Sequence, residues 1–379
     1  MTSAIEPIMN ALREASVGDV SQLGEGVLVR PGGGIEAARA VEMAQKISCK
    51  LRVRGEGDML HAPAPGALVM DLSRLERVLA IDKQSAVARV EAGCQVSALE
   101  NQARRAGLTV GELLPSTLRG SVGAWLAGPT RGARAVPPGR LETAALAVEI
   151  VLPDGTRAQS RAAPRSAMGP DLDQLVVGGQ GRIAVLLAAA VRLLPVGEIA
   201  DSVHAFADRT AALSALAGLC RLPLPPARVR VECAANGVTV ALRYGGPRAW
   251  RESAHASDWL HKLGAMPLGN AETTQAQARL AAPVPSTIDM EADWSALPAL
   301  LDHGAGEADL VALHVDGAFV SLSTTESVDS IGSVAAAAGA RILWPTRLAP
   351  TDFWKRWGVE GSAAFDALQL LLDPAGTLR

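Results

Sequence analysis

Short apolar segments separated by glycine-rich turns run through the first half of the chain. Residues 26–30, 51–54 and 67–72 are compact apolar runs that predict strands, whereas residues 35–46 place apolar side chains at helical spacing. A further strand is predicted over residues 86–91. Strands that alternate with a helix in this way indicate a sheet with helices packed against it.

The next helix is predicted to begin at residues 97–100 (SALE), because a serine followed three positions later by a glutamate has the spacing of a capping box. Gly107 is the predicted end of that helix. Further along, residues 147–152 predict a strand, and the pair Asp154-Gly155 predicts the turn that follows it.

Residues 196–379 have a different pattern, dominated by two hairpin signals. One hairpin is predicted over residues 229–244 with its turn at Asn236-Gly237, and another over residues 310–323 with its turn at Asp316-Gly317. Helical spacing lies between and after these hairpins, near residues 208–219, 247–263, 328–338 and 361–372. The combination predicts an α+β unit with helices packed on one face of its sheet.

These changes of pattern divide the chain into three parts. Residues 1–25 are predicted to form an amphipathic helix and a loop, residues 26–195 a first domain, and residues 196–379 a second, smaller one. Within the first domain, a Gly- and Pro-rich stretch after residue 110 predicts two lobes, over about 26–110 and 111–195. A length of 379 residues is consistent with two domains.

Composition narrows the functional classes. Hydrophobic residues make up 49% of the chain but aromatic residues only 3%, so Ala, Val and Leu must build the core. Few aromatic side chains remain for stacking against single-stranded nucleic acid, and the formal net charge of -3 offers no basic surface for a phosphate backbone. The composition therefore argues against a nucleic-acid partner.

The sequence does not support a membrane span, a metal site or disulfide bonds. The longest apolar stretch, residues 183–195, is interrupted by Arg192, and the N-terminal residues lack the basic start and apolar run of a signal peptide. We therefore expect a cytoplasmic protein without a membrane span. The four cysteines are far apart and form no CxxC pair, so we predict buried thiols and no metal site.

The first loop with potential chemistry is formed by residues 54–61 (RGEGDMLH), directly after a predicted strand. Glycines at such a place let backbone N–H groups close around phosphate oxygens. The loop lacks the GK[ST] ending of a P-loop, and no helix follows it as in a Rossmann fingerprint. Glu56 and Asp58 also place negative charge in the loop, and the alternative interpretation is a simple tight turn.

Two more loops rich in glycine follow. The second loop, residues 115–128 (PSTLRGSVGAWLAG), offers Ser and Thr hydroxyls and backbone N–H groups suited to a diphosphate and a ribityl chain. The third loop, residues 177–183 (VGGQGRI), precedes a predicted strand whose edge could face a flat ring. The alternatives are a packing loop of small residues for the second and a turn for the third.

The order and spacing of these features resemble the FAD-binding domain of the p-cresol methylhydroxylase (PCMH) or vanillyl-alcohol oxidase type. Within that group, the chain looks most like the E subunit of bacterial glycolate oxidase, over nearly its whole length. The matching segments are residues 70–75 (MDLSRL), 90–93 (VEAG), 126–129 (LAGP), 169–181 (GPDLDQLVVGGQG) and 370–376 (LLLDPAG).

The resemblance implies an α+β fold with a two-lobed PCMH-type FAD-binding domain followed by a smaller α+β cap domain over the flavin ring. It implies non-covalent FAD, with its diphosphate between the first and second loops. The residues that it assigns to the cofactor are Arg54, Gly55, Glu56, Gly57, Asp58, Met59, Pro115, Ser116, Thr117, Arg119, Gly120, Ser121, Gly128, Gly178, Gly181 and Ile183.

The resemblance also implies an assembly and a reaction. In the glycolate oxidase complex, this subunit works beside a paralogous flavin subunit and an iron–sulfur subunit. The complex oxidises 2-hydroxy acids by hydride transfer to flavin and passes the electrons to a quinone pool. Such partners would allow peripheral attachment at the inner membrane.

Several positions depart from the family pattern where the cofactor would lie. Arg119 stands at the first glycine of the family's T-x-G-G, where its side chain either blocks the backbone approach or supplies a cation to the diphosphate. Trp125 replaces a small residue, Glu142-Thr143 an Arg-Asp pair, and Ala184 a glycine. A flavin-free structural subunit that supports a catalytic partner is therefore the alternative hypothesis.

The sequence identifies no catalytic base. His303 and His314 lie in the predicted cap, but neither has a partner at a recognisable spacing. The family's glycine–histidine segment aligns with residues 338–341, which contain no histidine, and a downstream glutamate of the third loop is Ala188 here. His61 follows the first loop at an offset that does not suit covalent flavin attachment.

Overall fold

The computed structural model describes most of the chain. The described residues are 5–54, 65–128, 144–162, 173, 176–222, 226–234, 237–281, 287–303, 307–311, 317–324, 328–344 and 367–378. Of the described residues, 37% are helical and 33% are in strands, which confirms the predicted α+β class.

A small mixed sheet forms the first layer. Its strands, in the spatial order β1-β2-β4-β3, are β1 (Asp19–Leu23), β2 (Gly26–Arg30), β4 (Leu68–Asp71) and β3 (Leu51–Arg54). Strands β2, β4 and β3 run parallel, and β1 is antiparallel to β2. The helices of this part are α1 (Ile5–Glu14) and α2 (Gly34–Lys46). Both helices contribute small or apolar side chains to the core beneath the sheet.

An antiparallel sheet of five strands forms the second layer. Its spatial order is β5 (Val78–Asp82), β6 (Val87–Glu91), β10 (Val185–Arg192), β8 (Ala145–Val151) and β9 (Arg157–Gln159). Two short strands, β7 (Leu108–Thr109) and β11 (Leu194–Pro195), pair beside it. The helices between these strands are α3 (Val96–Arg105), α4 (Pro115–Arg119) and α5 (Val122–Ala127).

Both layers share one hydrophobic core. Alanines at positions 37, 40 and 44 are fully buried and make α2 narrow enough to lie close to the strands. Close packing also explains Gly93, because a Cβ atom there would lie 2.0 Å from the carbonyl oxygen of Leu72. A core with few aromatic side chains is therefore filled by small side chains and closely packed backbone.

The second half of the chain forms a single antiparallel sheet of seven strands. Their spatial order is β12 (Ile199–Phe206), β14 (Gly237–Gly245), β13 (Arg228–Ala234), β16 (Glu307–Val311), β17 (Gly317–Ser323), β15 (Thr287–Asp293) and β18 (Arg341–Trp344). We call this unit the cap, following the predicted arrangement.

Helices lie on both faces of the cap sheet. Buried side chains of α6 (Arg209–Leu219), α7 (Ala249–Lys262), α9 (Leu297–His303) and α10 (Val328–Ala338) join one apolar core with the strands. Helix α8 (Asn270–Ala281) packs on the opposite face, since its Arg279 bonds Glu232 on β13 at 2.6 Å. Glu232 follows Val231, whose side chain lies in the core, and successive side chains of a strand point to opposite faces. The prediction that helices pack on one face only was wrong for α8.

Local predictions and the observed elements agree closely in most places. The predicted strands at 26–30 and 51–54 coincide with β2 and β3, and the two predicted hairpins correspond to the antiparallel pairs β13–β14 and β16–β17. Strand β1 lies in the segment predicted to be a loop. The five-stranded sheet combines strands from both sides of the lobe boundary predicted near residue 110.

The predicted capping box was wrong. Helix α3 begins at Val96, with Gln95 as its cap, so Ser97 lies inside the first turn. The Glu100 carboxylate instead accepts hydrogen bonds from the Thr109 hydroxyl and the Val110 N–H, each at 2.8 Å. Glu100 therefore stabilises the segment that follows the helix and does not cap the start of the helix.

Within the described ranges, no helix has the length and apolar character needed to cross a membrane, and no group of His, Cys, Asp or Glu is placed to hold a metal ion. All four cysteines lie in these ranges and are free thiols. Three are buried, as predicted, and burial raises the pKa of Cys94 to about 11, with smaller contributions from Glu76 and Glu91.

Candidate functional site

The second and third loops meet directly. The Gly178 N–H donates to the carbonyl of Leu126, and the Gln180 N–H donates to that of Ala127, both at 2.8 Å. The third loop also reaches the end of β3, because a Cβ atom on Gly181 would lie 3.6 Å from that of Val53. Arg54, the last residue of β3, therefore lies near both loops, while Gly55, Glu56, Gly57, Asp58 and Met59 lie outside the described residues.

The backbone of the second loop is fixed by the strand and helix before it. The Val96 N–H donates to Gly120 at 2.9 Å, and the Val122 N–H donates to Cys94 at 2.8 Å. Ser121 caps α5, because its hydroxyl oxygen accepts the Ala124 N–H at 3.1 Å. These bonds fix the turn between α4 and α5. Thr117 in α4 and Ser121 in the turn are both buried.

Gly123 of this loop has no room for a side chain. A Cβ atom there would lie 2.9 Å from the carbonyl oxygen of Ala92, whereas one on Gly120 would lie 3.5 Å from its nearest neighbours. Arg119 ends α4 with an exposed side chain. The guanidinium therefore does not fill the interior of the loop, and it does not block the approach of a ligand to the backbone there.

The third loop combines unusual backbone geometry with open space. Gly178 and Gly181 have positive φ angles of +77° and +73°, as has Gln180 at 52°. Among the described residues, the only atom within 4 Å of a Cβ built on Gly178 is the carbonyl oxygen of Gly128, at 4.0 Å. Ile183 is buried at the end of the loop, just before β10.

Trp125 adds a polar group that the sequence interpretation treated only as a departure from the family. Its indole is 3% exposed, and its Nε1–H has no acceptor within the described part of the structure. A buried N–H without an acceptor is costly, so a partner is expected there. The open glycines, the two hydroxyls and this N–H fit an acceptor-rich ligand such as a diphosphate and ribityl chain.

The cap reaches the second loop through a carboxylate. Asp289 on β15 is 1% exposed, and its Oδ2 accepts the backbone N–H of Ser116 at 3.1 Å. Its Oδ1 accepts the hydroxyl of Ser321 at 2.6 Å. Ser116 lies in the first turn of α4, so a negative charge of the cap is placed at the start of the second loop.

Buried charges extend across the same face of the cap sheet. Arg230 donates to both carboxylate oxygens of Asp309, at 2.6 and 2.9 Å, and Arg228 bonds the same carboxylate. Arg243 binds Asp201, which raises the pKa of the guanidinium, and the charge of Glu112 near the second loop adds to that effect. The sequence analysis did not predict this cluster. Arg-Val-Arg-Val at 228–231 nevertheless alternates polar and apolar side chains, as a strand with one polar and one apolar face does.

The side chains of the histidines considered from the sequence lie outside the described residues, and a different histidine is buried. His61, His314 and the side chain of His303 lie outside the described residues. His204 on β12 is 3% exposed and packs edge-on against His261, with ring centroids 5.4 Å apart. Burial, with a smaller contribution from His261, lowers the pKa of His204 to about 4. It lies among the helices of the cap, away from the polar face.

One further departure, Ala188, lies on β10 in a cleft of the five-stranded sheet. Arg89, Glu149 and Ala147 also line this cleft. Arg89 and Arg157 both lie within 4 Å of Glu149, at 3.6 and 2.7 Å. Replacing a glutamate by alanine here leaves one acidic side chain between two arginines.

Part of this region lies in a segment that matches a known family. Residues 26–160 match the family model described as an FAD binding domain. That range includes the first and second loops and most strands of the two layers.

Curated relatives match about half of the chain. An FAD-linked oxidoreductase of Mycobacterium tuberculosis is 30% identical over 197 residues, which are 50% of this chain and 42% of that protein. Alkyldihydroxyacetonephosphate synthase of Caenorhabditis elegans is 25% identical over 46% of this chain and 30% of its own length. D-lactate dehydrogenase of Archaeoglobus fulgidus is 28% identical over 45% and 39%. The alignments thus span less than half of each relative.

Solved structures match the fold over nearly the whole chain. A p-cresol methylhydroxylase with substrate bound superposes with a TM-score of 0.72, covering 100% of this chain and 96% of that one at 13% identity. A 4-ethylphenol oxidase from Gulosibacter chungangensis gives 0.69, covering 98% and 96% at 17% identity. The arrangement of two layers and a cap is therefore an architecture that both enzymes share.

Proposed function

We propose, from the premise that this chain is a PCMH-type FAD-binding protein, that it is the FAD-carrying subunit of a 2-hydroxy-acid dehydrogenase resembling glycolate oxidase. FAD is the cofactor that the family model and the fold support. The observation that carries the proposal is the meeting of the second and third loops beside the end of β3, with the second loop hydrogen-bonded to the cap at Asp289. The similarity to D-lactate dehydrogenase supports a 2-hydroxy acid as the substrate class.

The residues proposed to hold the cofactor are those around the open space between the loops. Thr117 and Ser121 offer hydroxyls, Gly178 leaves room for a close backbone approach beside the Gly128 carbonyl, and the Trp125 N–H offers a donor. Arg119, exposed at the end of α4, supplies a cation near a diphosphate at this loop. These groups bind and orient the cofactor, and none of them needs to change protonation state.

When bound, FAD supplies the hydride acceptor for the carbon that bears the hydroxyl group. The cap contributes by closing over the second loop and excluding water from the space between the domains. Asp289 holds that closure at Ser116, while Arg228 and Arg230 both bond Asp309 inside the cap. The chain thus supplies binding and enclosure from two domains.

The proposed partners are a paralogous flavin subunit and an iron–sulfur subunit. Their presence is an inference from the resemblance to the glycolate oxidase complex, in which a chain of this kind does not act alone. Affinity purification of the tagged chain from its native cell is expected to recover both. Recovery of a lone chain in every preparation would contradict this part of the proposal.

A reduction experiment on the purified complex tests the reaction. Under anaerobic conditions, a 2-hydroxy acid such as glycolate or D-lactate is expected to bleach the visible absorbance of the oxidised flavin. The matching 2-methoxy acid is the control, because it has no hydroxyl proton to lose. Bleaching by neither hydroxy acid would contradict the substrate class while leaving FAD binding intact.

The same preparation separates the proposal from a flavin-free structural subunit. A colourless chain that takes up no added FAD, yet co-purifies with a flavin-bearing partner, would support that alternative. The departures from the family pattern that the alternative would then explain are Arg119, Trp125, Glu142 and Ala184, of which Trp125 and Ala184 are buried.

A further inference from the structure

One row of polar side chains crosses four strands of the cap sheet. Asp289 on β15 lies opposite Ser321 on β17, Ser321 opposite Asp309 on β16, and Asp309 opposite Arg230 on β13. Three of these residues are 1% exposed and Arg230 is 4% exposed. Because residues directly opposite in a sheet share one face, the four side chains form a continuous buried line.

Most charges on this face are neutralised inside the cap. Arg228 and Arg230 share Asp309, and Arg243 binds Asp201 at 2.7 Å. Asp289 is the exception, since no lysine, arginine or histidine among the described residues lies within 4 Å of it. One of its oxygens is bonded to Ser321, and the other leaves the cap to accept the Ser116 N–H.

The bond to Ser116 connects two parts of the chain that are 173 residues apart in sequence. Ser116 begins the segment that continues through Thr117 to Ser121, the residues proposed to face the cofactor. Glu112, just before this segment, acts on Arg243 of the cap through its charge. The start of the second loop therefore lies along the polar face of the cap sheet, with Asp289 as its hydrogen-bonded anchor.

We propose that Asp289 is a positioning residue, which fixes the second loop in the conformation that holds FAD by tying it to the cap. The inference rests on the proposed FAD binding at that loop. If the bond between Asp289 and Ser116 stabilises the conformation that binds FAD, bound FAD stabilises that bond by the same amount. FAD must therefore also hold the cap in place. The cap then strengthens FAD binding through the second loop, without a direct contact to the cofactor being required.

Three variants test this role against a purely structural one. Asp289→Ala removes the anchor, Asp289→Asn keeps an acceptor oxygen at the same place, and Ser321→Ala removes only the bond inside the cap. FAD affinity is measured by fluorescence titration, and hydrogen exchange is followed by mass spectrometry in a peptide covering residues 112–120. Asp289→Ala is expected to weaken FAD binding by about tenfold or more and to speed exchange in that peptide.

Asp289→Asn is expected to recover most of the affinity, and Ser321→Ala to stay within about twofold of the wild type. Equal FAD affinity and equal exchange in Asp289→Ala and Ser321→Ala would overturn the proposal. If Asp289→Ala does not fold, hydrogen exchange of the wild-type chain is compared with and without FAD. FAD is expected to slow exchange both in residues 112–120 and in a peptide covering Asp289, and unchanged exchange at Asp289 overturns the proposal. A wild-type chain that takes up no FAD contradicts the proposed function, and the exchange rates still decide whether Asp289 holds the loop.

Discussion

Gly123 shows how a single atom constrains the second loop. A Cβ at this position would lie 2.9 Å from the carbonyl oxygen of Ala92, and neither backbone can move without disturbing the bonds from Gly123 and Val122 to the strand end. We therefore expect Gly123→Ala to lower the free energy of unfolding by about 1–3 kcal/mol. Chemical denaturation of the purified variant measures the change.

Gly120→Ala is the matched control for that substitution. Gly120 has a φ of -76°, which an alanine adopts readily, and its added Cβ would meet only ordinary contacts at 3.5 Å. Its free energy of unfolding is expected to stay within about 0.5 kcal/mol of the wild type. Equal destabilisation by both substitutions would contradict the close approach of Gly123 to Ala92.

His204 makes the stability of the cap depend on pH. Its folded pKa of about 4 lies below the ordinary value of 6.5, so the unfolded chain takes up a proton at a higher pH than the folded one. The resulting stability is complete above pH 6.5 and is lost as the pH falls towards 4. The lowered pKa corresponds to about 3 kcal/mol.

Denaturation curves at several pH values, for the wild type and His204→Leu, measure this contribution. The wild type is expected to lose stability more steeply than the variant between pH 6.5 and 4. The difference between the two proteins isolates His204 from the carboxylates that titrate in the same range. Parallel curves would show that burial of His204 does not lower its pKa.

At the same scale, the sequence located the loops but not the roles of their residues. Alignment of motifs placed Arg119 at a glycine position, while only the backbone distances reveal that Gly123 is the glycine without room for a side chain. The Trp125 N–H and the Asp289 carboxylate could not be predicted, because their significance depends on residues distant in sequence. Asp289 had no motif to identify it.

Among the elements, the pairing of β13 with β16 depends on a buried ionic cluster. Asp309 accepts hydrogen bonds from both Arg228 and Arg230, and all three are at least nine-tenths buried. Asp309→Ala would leave two guanidinium groups without their carboxylate, so we expect a loss of about 3–5 kcal/mol in the free energy of unfolding. Thermal or chemical unfolding of the variant measures it.

Asp302→Ala provides the comparison on the surface of the same domain. Asp302 pairs with Arg209 at 2.5 Å, but its side chain is 58% exposed. An exposed pair contributes at most about 1 kcal/mol, since water and salt screen it. A loss from Asp309→Ala no larger than that from Asp302→Ala would contradict the structural importance of the cluster.

Elements were predictable where their signals are local, and less so where pairing is distant. Apolar runs and Asn-Gly or Asp-Gly turns located β2, β3 and both cap hairpins. The order β5-β6-β10-β8-β9 combines strands separated by up to about a hundred residues, which no local pattern specifies. Helix α8 was missed because its apolar face is weak and it packs on the polar side of the sheet.

For the whole molecule, the described contacts connect the C-terminal segment to the site. The Leu51 N–H on β3 donates to the carbonyl of Thr377 at 2.6 Å, and Asp373 accepts the N–H groups of Thr377 and Leu378. Arg182 of the third loop bonds Gln369. The first sheet, the third loop and the C-terminal segment thus form one connected unit, to which the cap is joined at Asp289.

The most direct test of the account is the visible absorbance spectrum of the purified chain, before and after incubation with excess FAD and removal of the unbound cofactor. The account predicts the absorbance bands of a bound flavin, with about one FAD per chain as expected for a single site. Release of unmodified FAD on denaturation would show non-covalent binding. A folded protein that stays colourless after this treatment would contradict it.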